Sequence, residues 1–307
     1  MINRPIYIGG VSYSGKTQLR LLLSRLPNIV ITRRTYLWRK YYQKYGDLSV
    51  KENFDRCLSD ILKNKHIQSL NPDPDRIRKD FGQGDNSYSR LFSLFHIHYA
   101  ERLGKNRWGI QIGMVEKDAD LIFAKEPNAQ IIHVIRNPLD RIEESLSTTS
   151  RKKLSLGWET NIWRESSRYA LQNLEKYPNH YRVIKWENLL KDMDGTLQAI
   201  CNFLEEEYHP EMIKMEGLEE MGLVEHKDLS NHFRQLEKKE TSNSYQLSNN
   251  DRAFIFSHAK LEMQHFGYEV DKIQRSFIER IKFVGLDYPG YSAGVILRKS
   301  LNQFKSS

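Results

Sequence analysis

Apolar residues occur along the chain in two kinds of run. Short, nearly uninterrupted runs at 5–9, 29–31, 108–112, 130–135 and 181–186 have the length of strands buried on both faces. Between them, apolar side chains recur every three or four residues. Phe54, Leu58, Ile61 and Leu62 form one such series, Leu91, Phe92, Phe95 and Tyr99 a second, and Leu197, Ile200, Cys201 and Leu204 a third. Ser49 with Glu52 reads as a capping box that opens the first series, and Asp194 as a cap for the third. Ser248 to Asp251 reads as the start of another helix, which Gly267 can close. Strand and helix patterns in alternation predict an α/β protein, a mainly parallel sheet flanked by helices in a three-layer sandwich. Residues 71–87, rich in Pro, Gly and Asp, read as a loop or lid. Residues 271–307 have weak periodicity and several basic side chains, and are expected to extend a main domain of residues 1–270.

Composition narrows the class. Of 307 residues, 39% are hydrophobic and 28% charged, enough for both a core and a solvated surface, which excludes disorder for most of the chain. No stretch approaches the roughly 18 apolar residues of a membrane span. Met1 leads directly into Pro5-Ile-Tyr-Ile-Gly9 with no long apolar region, so a cytoplasmic location is expected. Two cysteines, Cys57 and Cys201, can make neither a disulfide framework nor a four-cysteine zinc site, and read as reduced core residues. No His, Cys or Asp cluster has metal-ligand spacing, so no metal is expected. Lys and Arg exceed Asp and Glu by 47 to 39, a net charge of +8 that suits an anionic ligand, an acidic polymer or a membrane surface.

The chemistry begins at the first strand. Gly10-x4-Gly15-Lys16-Thr17 follows that strand and precedes the helical run Gln18–Ser24, which is the context a phosphate loop requires. Glycines let the backbone curl so that the N–H groups of Ser12, Tyr13, Ser14, Gly15, Lys16 and Thr17 converge on an anion, aided by the helix dipole. Lys16 adds a point charge and Thr17 a hydroxyl. A triphosphate enzyme would ordinarily end a later strand in Asp to hold magnesium. The strand Gln130–Ile135 instead runs into Arg136-Asn137-Pro138. A guanidinium at the carboxyl end of a strand faces the ligand crevice and suits a second phosphate.

These segments resemble the sulfotransferases that use 3′-phosphoadenosine 5′-phosphosulfate (PAPS). The family's 5′-phosphosulfate loop is similar to Ile8–Leu22, and its 3′-phosphate motif to His133–Arg141. Its later strand and helix resemble Tyr181–Leu190 and Cys201–Leu204, and its closing pattern resembles Leu247-Ser248 through Phe266-Gly-Tyr268. The resemblance covers about residues 5–270. It implies a P-loop-type fold and sulfuryl transfer from PAPS as co-substrate without a metal. It further implies that Lys16 acts on the leaving group and that Arg136 holds the 3′-phosphate. Three positions depart from the pattern. Glu144 stands eight residues after Arg136, where a serine is usual, with Ser145 next to it. Trp108–Gly113 lacks the usual lysine or histidine. Arg34 stands where some members carry a catalytic Glu.

Candidates for the base that deprotonates an acceptor hydroxyl or amine are His98 (or His96, two residues before it) and Glu116, with Asp118 and Asp120 close behind. His133 reads as a core residue of its strand. Arg33–Tyr45 holds five basic and five aromatic residues and no acid. It can line an acceptor cleft or pack its rings inward while the cations remain in water. No nucleic-acid recognition pattern is present. The expected protein is a PAPS-dependent sulfotransferase acting on a small-molecule or saccharide acceptor, an acidic one among the candidates. The alternatives are a P-loop kinase or nucleotidase, and a non-catalytic module that binds adenosine bisphosphate or a polyanion.

Overall fold

A computed structural model describes residues 4–148, 152–213 and 245–296. Five parallel strands, β1 (Ile6–Gly9), β2 (Ile29–Thr32), β3 (Arg107–Gln111), β4 (Gln130–Ile135) and β5 (Tyr181–Lys185), lie in the order β2-β3-β1-β4-β5. β1 is central, with Ile6 beside Gly109 of β3 and Gln130 of β4. Helices cover both faces, so the inner strands are buried throughout and read as continuous apolar runs. Successive side chains point to opposite faces. Tyr7, Val30, Trp108 and Ile131 enter one core, with α3 (Lys51–Leu62) and α6 (Tyr88–Arg102). Ile6, Ile8, Ile29 and Ile132 enter the other, with α1 (Lys16–Ser24) and α11 (Met193–Leu204).

The remaining elements complete these layers. They are α2 (Leu37–Tyr41), α4 (Lys65–Gln68), α5 (Pro74–Phe81), α7 (Ala119–Lys125), α8 (Pro138–Ser147), α9 (Lys152–Lys176), α10 (Trp186–Lys191), α12 (Asn249–His265) and α13 (Phe277–Lys282). Ser248 makes a reciprocal capping box with Asp251 at the start of α12, and Gly267 (φ 67°) follows its end, as expected. Three local expectations change. The stretch 71–87 contains α5, because Asp73 accepts from the N–H groups of Asp75 and Arg76 and Pro74 takes the first helical position. Ser49 does not cap α3. Its N–H instead donates to Asp47 in a turn before the helix. Asp192, not Asp194, caps α11 by accepting from Gly195 N–H.

A third core joins α8, α9 and α12 through Ile142, Leu146, Trp163, Phe254 and Ile255. The C-terminal segment adds to it. From α13 the chain passes through a π-turn, Phe283–Asp287, and stays helical to 296. Gly157 of α9 lies directly against the backbone of Tyr291, and Gly294 against that of Leu154. Tyr291 donates to Asp251, and Asn250 to Asp287 at 2.8 Å. Residues 297–307 of the expected extension lie outside the described residues. Among the described residues, no helix is long and apolar enough to cross a membrane.

Candidate active site

The turn from β1 into α1 is a tight loop whose geometry demands its glycines. Gly10 has φ 108° and Gly15 φ 95°, backbone that side-chain-bearing residues rarely adopt. A Cβ on Gly10 would lie 2.3 Å from the Val134 carbonyl oxygen, and one on Gly15 2.2 Å from the Trp186 ring. The glycines thus allow β4 and the start of α10 to close on the loop. Lys16 is buried, and its ammonium donates across the loop to the Val11 carbonyl. Burial pushes its pKa down to about 8; the charges of Arg141 and Arg34 push the same way, against that of Glu116. The Ser14 hydroxyl is wholly buried without a hydrogen-bond partner. Gln111, at the end of β3, donates to Thr17 Oγ1 at 3.2 Å.

Glu116 sits against the start of the loop. Its Oε2 accepts from Gly10 N–H at 3.0 Å, and its Oε1 accepts from the Ser166 hydroxyl. Asn173 donates to its backbone carbonyl at 2.8 Å, and His133 Nδ1 stands 3.9 Å from Oε2. The other side of the loop is held from α8. Arg141 donates to the Ser12 carbonyl at 2.9 Å and to Glu159 behind it. Arg136, at the end of β4, donates from Nη1 to the Tyr13 carbonyl at 3.1 Å, and the same nitrogen pairs with Glu144 at 2.5 Å. Its own carbonyl accepts from Trp163 Nε1 at 2.9 Å. Ser145 is buried on the same helix, one residue beyond Glu144.

A glycine loop with a buried lysine therefore adjoins a second cation at the mouth of the next strand. The sulfotransferase family profile matches residues 5–210. The chain belongs to the sulfotransferase family. It is a sulfuryl-transfer enzyme on the P-loop-type α/β fold. Among solved structures, it is similar to the sulfotransferase domain of an olefin synthase from Synechococcus PCC 7002, at 19% identity and TM-score 0.54. That alignment covers 87% of this chain and 96% of the domain. The sulfotransferase domain of the curacin biosynthetic pathway aligns at 15% identity and TM-score 0.55, covering 88% of this chain and 99% of the domain. A mouse sulfotransferase crystallised with adenosine 3′,5′-bisphosphate (PAP) aligns more loosely, at 14% identity and TM-score 0.41, over 78% of this chain and 69% of that one. A search of curated protein sequences finds no match.

The remaining candidates of this sulfotransferase lie at different depths. His96 is packed on Trp108 (centroids 4.7 Å apart, planes 12° apart) and contacts Thr32 and Thr35. Burial pushes its pKa down to about 3, so it stays neutral at working pH. His98 is not brought to the loop. Its Nε2 bonds Asp80 of α5 at 2.9 Å, and burial, with Arg76 adding to it, lowers its pKa. Asp118 is tied to Arg39 at 2.7 Å and Asp120 to Tyr177 at 2.6 Å. In Arg33–Tyr45, Trp38 is buried and Tyr36, Tyr41, Tyr42 and Tyr45 pack against the core, while Arg33, Arg34 and Lys40 stay exposed. Sequence reasoning gave no role to Arg141, Gln111 or Trp186. Position was the available signal, since Gln111 and Trp186 stand where strands end and Arg141 lies on the helix that Arg136 precedes.

Proposed function

We propose that this sulfotransferase takes PAPS as its donor and moves the sulfuryl group to a hydroxyl or amine of a small-molecule or saccharide acceptor. The observation that carries the donor is the pairing of two anion sites on one rim: the Ser12–Thr17 loop, and the Arg136 guanidinium bonded to that loop at Tyr13. The unpartnered Ser14 hydroxyl fits a phosphate oxygen, since a buried donor without an acceptor is costly. Backbone N–H groups from Ser12 to Thr17 would hold the 5′-phosphosulfate, with Thr17 beside Gln111. Arg136, with the α8 turn that carries Ser145, would hold the 3′-phosphate. Lys16 would offset the negative charge that grows on the leaving phosphate as the sulfuryl group departs. Glu116 acts here as a positioning residue, because its carboxylate is committed to Gly10 N–H and Ser166.

Sheet order supports a direction for each substrate. Arg136 follows β4, on one side of β1, whereas Gln111 ends β3 and Arg33-Arg34 follow β2 on the other. With the nucleotide on the β4 side, the acceptor approaches over β3 and β2. Cations gather there. Tyr36 contacts His66, Lys40 lies over the Tyr36 ring, and burial followed by the charges of Arg34, Lys65, Lys40 and Arg33 pushes the His66 pKa down. This environment favours an acceptor that carries an anionic group. Two buried free thiols, Cys57 and Cys201, accord with a reducing, cytoplasmic setting.

Calorimetry tests the donor. PAP should bind without metal, and more tightly than either adenosine 5′-phosphate or magnesium-ATP. Tighter binding of magnesium-ATP would replace this reading with a kinase or nucleotidase.

A further inference from the structure

Arg136 is the cation assigned to the 3′-phosphate, yet its Nη1 already carries a carboxylate. Glu144 Oε2 lies 2.5 Å from it, and Tyr13 C=O accepts from the same nitrogen. The arrangement is local to α8. Asn137 caps that helix by accepting from Leu139 N–H, and its own N–H donates to Glu187 at 2.7 Å. The helix start, and with it the separation of Arg136 from Glu144, is thereby held. The Glu144 side chain is 41% exposed and that of Arg136 21%. The carboxylate can therefore rotate into water without unfolding anything. A phosphate brought to the same guanidinium would lie close to that carboxylate, and two anions at one donor repel. Both cannot be held at full strength.

We propose that Glu144 is an internal competitor for the 3′-phosphate site: it occupies Arg136 when the nucleotide is absent, is displaced when PAPS binds, and retakes the guanidinium as PAP leaves. This rests on the donor reading above and adds a consequence to it. The competing pair lowers donor and product affinity alike. It also assists product release, because the cation that the phosphate gives up is neutralised at once. Adenosine 5′-phosphate, which has no 3′-phosphate, does not displace Glu144 and escapes the competition.

The test compares the full-length protein with Glu144→Gln and Glu144→Ser, two variants at a half-exposed helix surface position. Calorimetry measures PAP and adenosine 5′-phosphate, and rapid displacement measures the PAP off-rate. Both variants should bind PAP more tightly by about fivefold to tenfold, the scale of one exposed charge pair together with relieved repulsion. The gain should appear as slower release, and adenosine 5′-phosphate affinity should change less than twofold. Unchanged or weaker PAP binding in both variants, or equal gains for the two nucleotides, would overturn the proposal while leaving the donor reading standing. A wild-type protein that prefers adenosine 5′-phosphate to PAP would remove the donor reading, and this proposal with it.

Discussion

In the proposed reaction, Lys16 is the residue whose environment bears most directly on the chemistry. The loop N–H groups and the α1 dipole remain when its ammonium is removed, so Lys16→Ala should weaken PAP binding by about tenfold or less. Its charge matters most where negative charge develops, so turnover should fall by on the order of 10²–10³. Lys16→Arg should not restore it, since a planar fork does not fit where a compact ammonium is enclosed. The lowered pKa adds a pH signature. An ordinary lysine keeps its proton to about pH 10, but here the active ammonium is lost as pH rises through about 8. The kcat/KM profile, which reports the free enzyme, should therefore bend downward near pH 8. In kcat the bend should move to higher pH, because bound phosphate favours the charged form. A kcat/KM profile flat to pH 10 in a sulfuryl-transfer assay would rule out this role for the ammonium.

Between elements, close backbone contacts decide what can be changed. The C-terminal helix meets α9 where Gly157 faces Tyr291, and a Cβ on Gly157 would lie 1.7 Å from the Tyr291 carbonyl oxygen. That atom is backbone and cannot rotate away. Gly157→Ala should force the two helices apart and lower stability by about 1–3 kcal/mol, the usual cost of overpacking. Thermal denaturation reads this as a lower Tm. The same substitution at Gly285, where a Cβ meets nothing within 4 Å, serves as the control and should leave Tm nearly unchanged or slightly raised. A Gly157→Ala protein as stable as wild type would mean that the C-terminal helix contributes little to the fold.

For the whole molecule, in the proposed reading the order β2-β3-β1-β4-β5 keeps the two substrates on opposite sides of β1. A cation on the β4 side should govern the nucleotide, and one on the β2 side the acceptor. Arg34→Ala should therefore lower kcat/KM for an acceptor bearing a carboxylate by roughly tenfold, as expected for loss of one charge-assisted contact. It should spare the matching neutral amide and change PAP affinity less than threefold. Equal losses for acid and amide would place the effect of Arg34 on Lys16 rather than on the acceptor. Raised salt should weaken the acid's advantage in the wild type, because the patch is exposed and screened.

Much of this architecture is local, and local structure is legible. The strands β1 to β4 are buried on both faces, so an apolar run is enough to mark them; the edge strand β5 leaves Arg182 exposed and is marked by buried Tyr181 and Ile184, and all five fall within a residue of their expected bounds. The phosphate loop is a contiguous strand, turn and helix, and its glycines follow from the backbone itself. Capping is local too, but adjacent Asp and Ser residues compete for it. Asp192 rather than Asp194 opens α11, and Asp73-Pro74 starts α5 inside a stretch whose only buried apolar anchors are Ile77 and Phe81. What sequence could not supply is the company each side chain keeps across long separations. Only the tertiary structure puts Glu116 against Gly10, sends His98 to Asp80, and gathers Arg34 and Arg141 near Lys16. Residue types and local periodicity decide which elements form. Charges that share a buried site are decided by packing between elements far apart in the chain, and the Lys16 pKa follows from that packing.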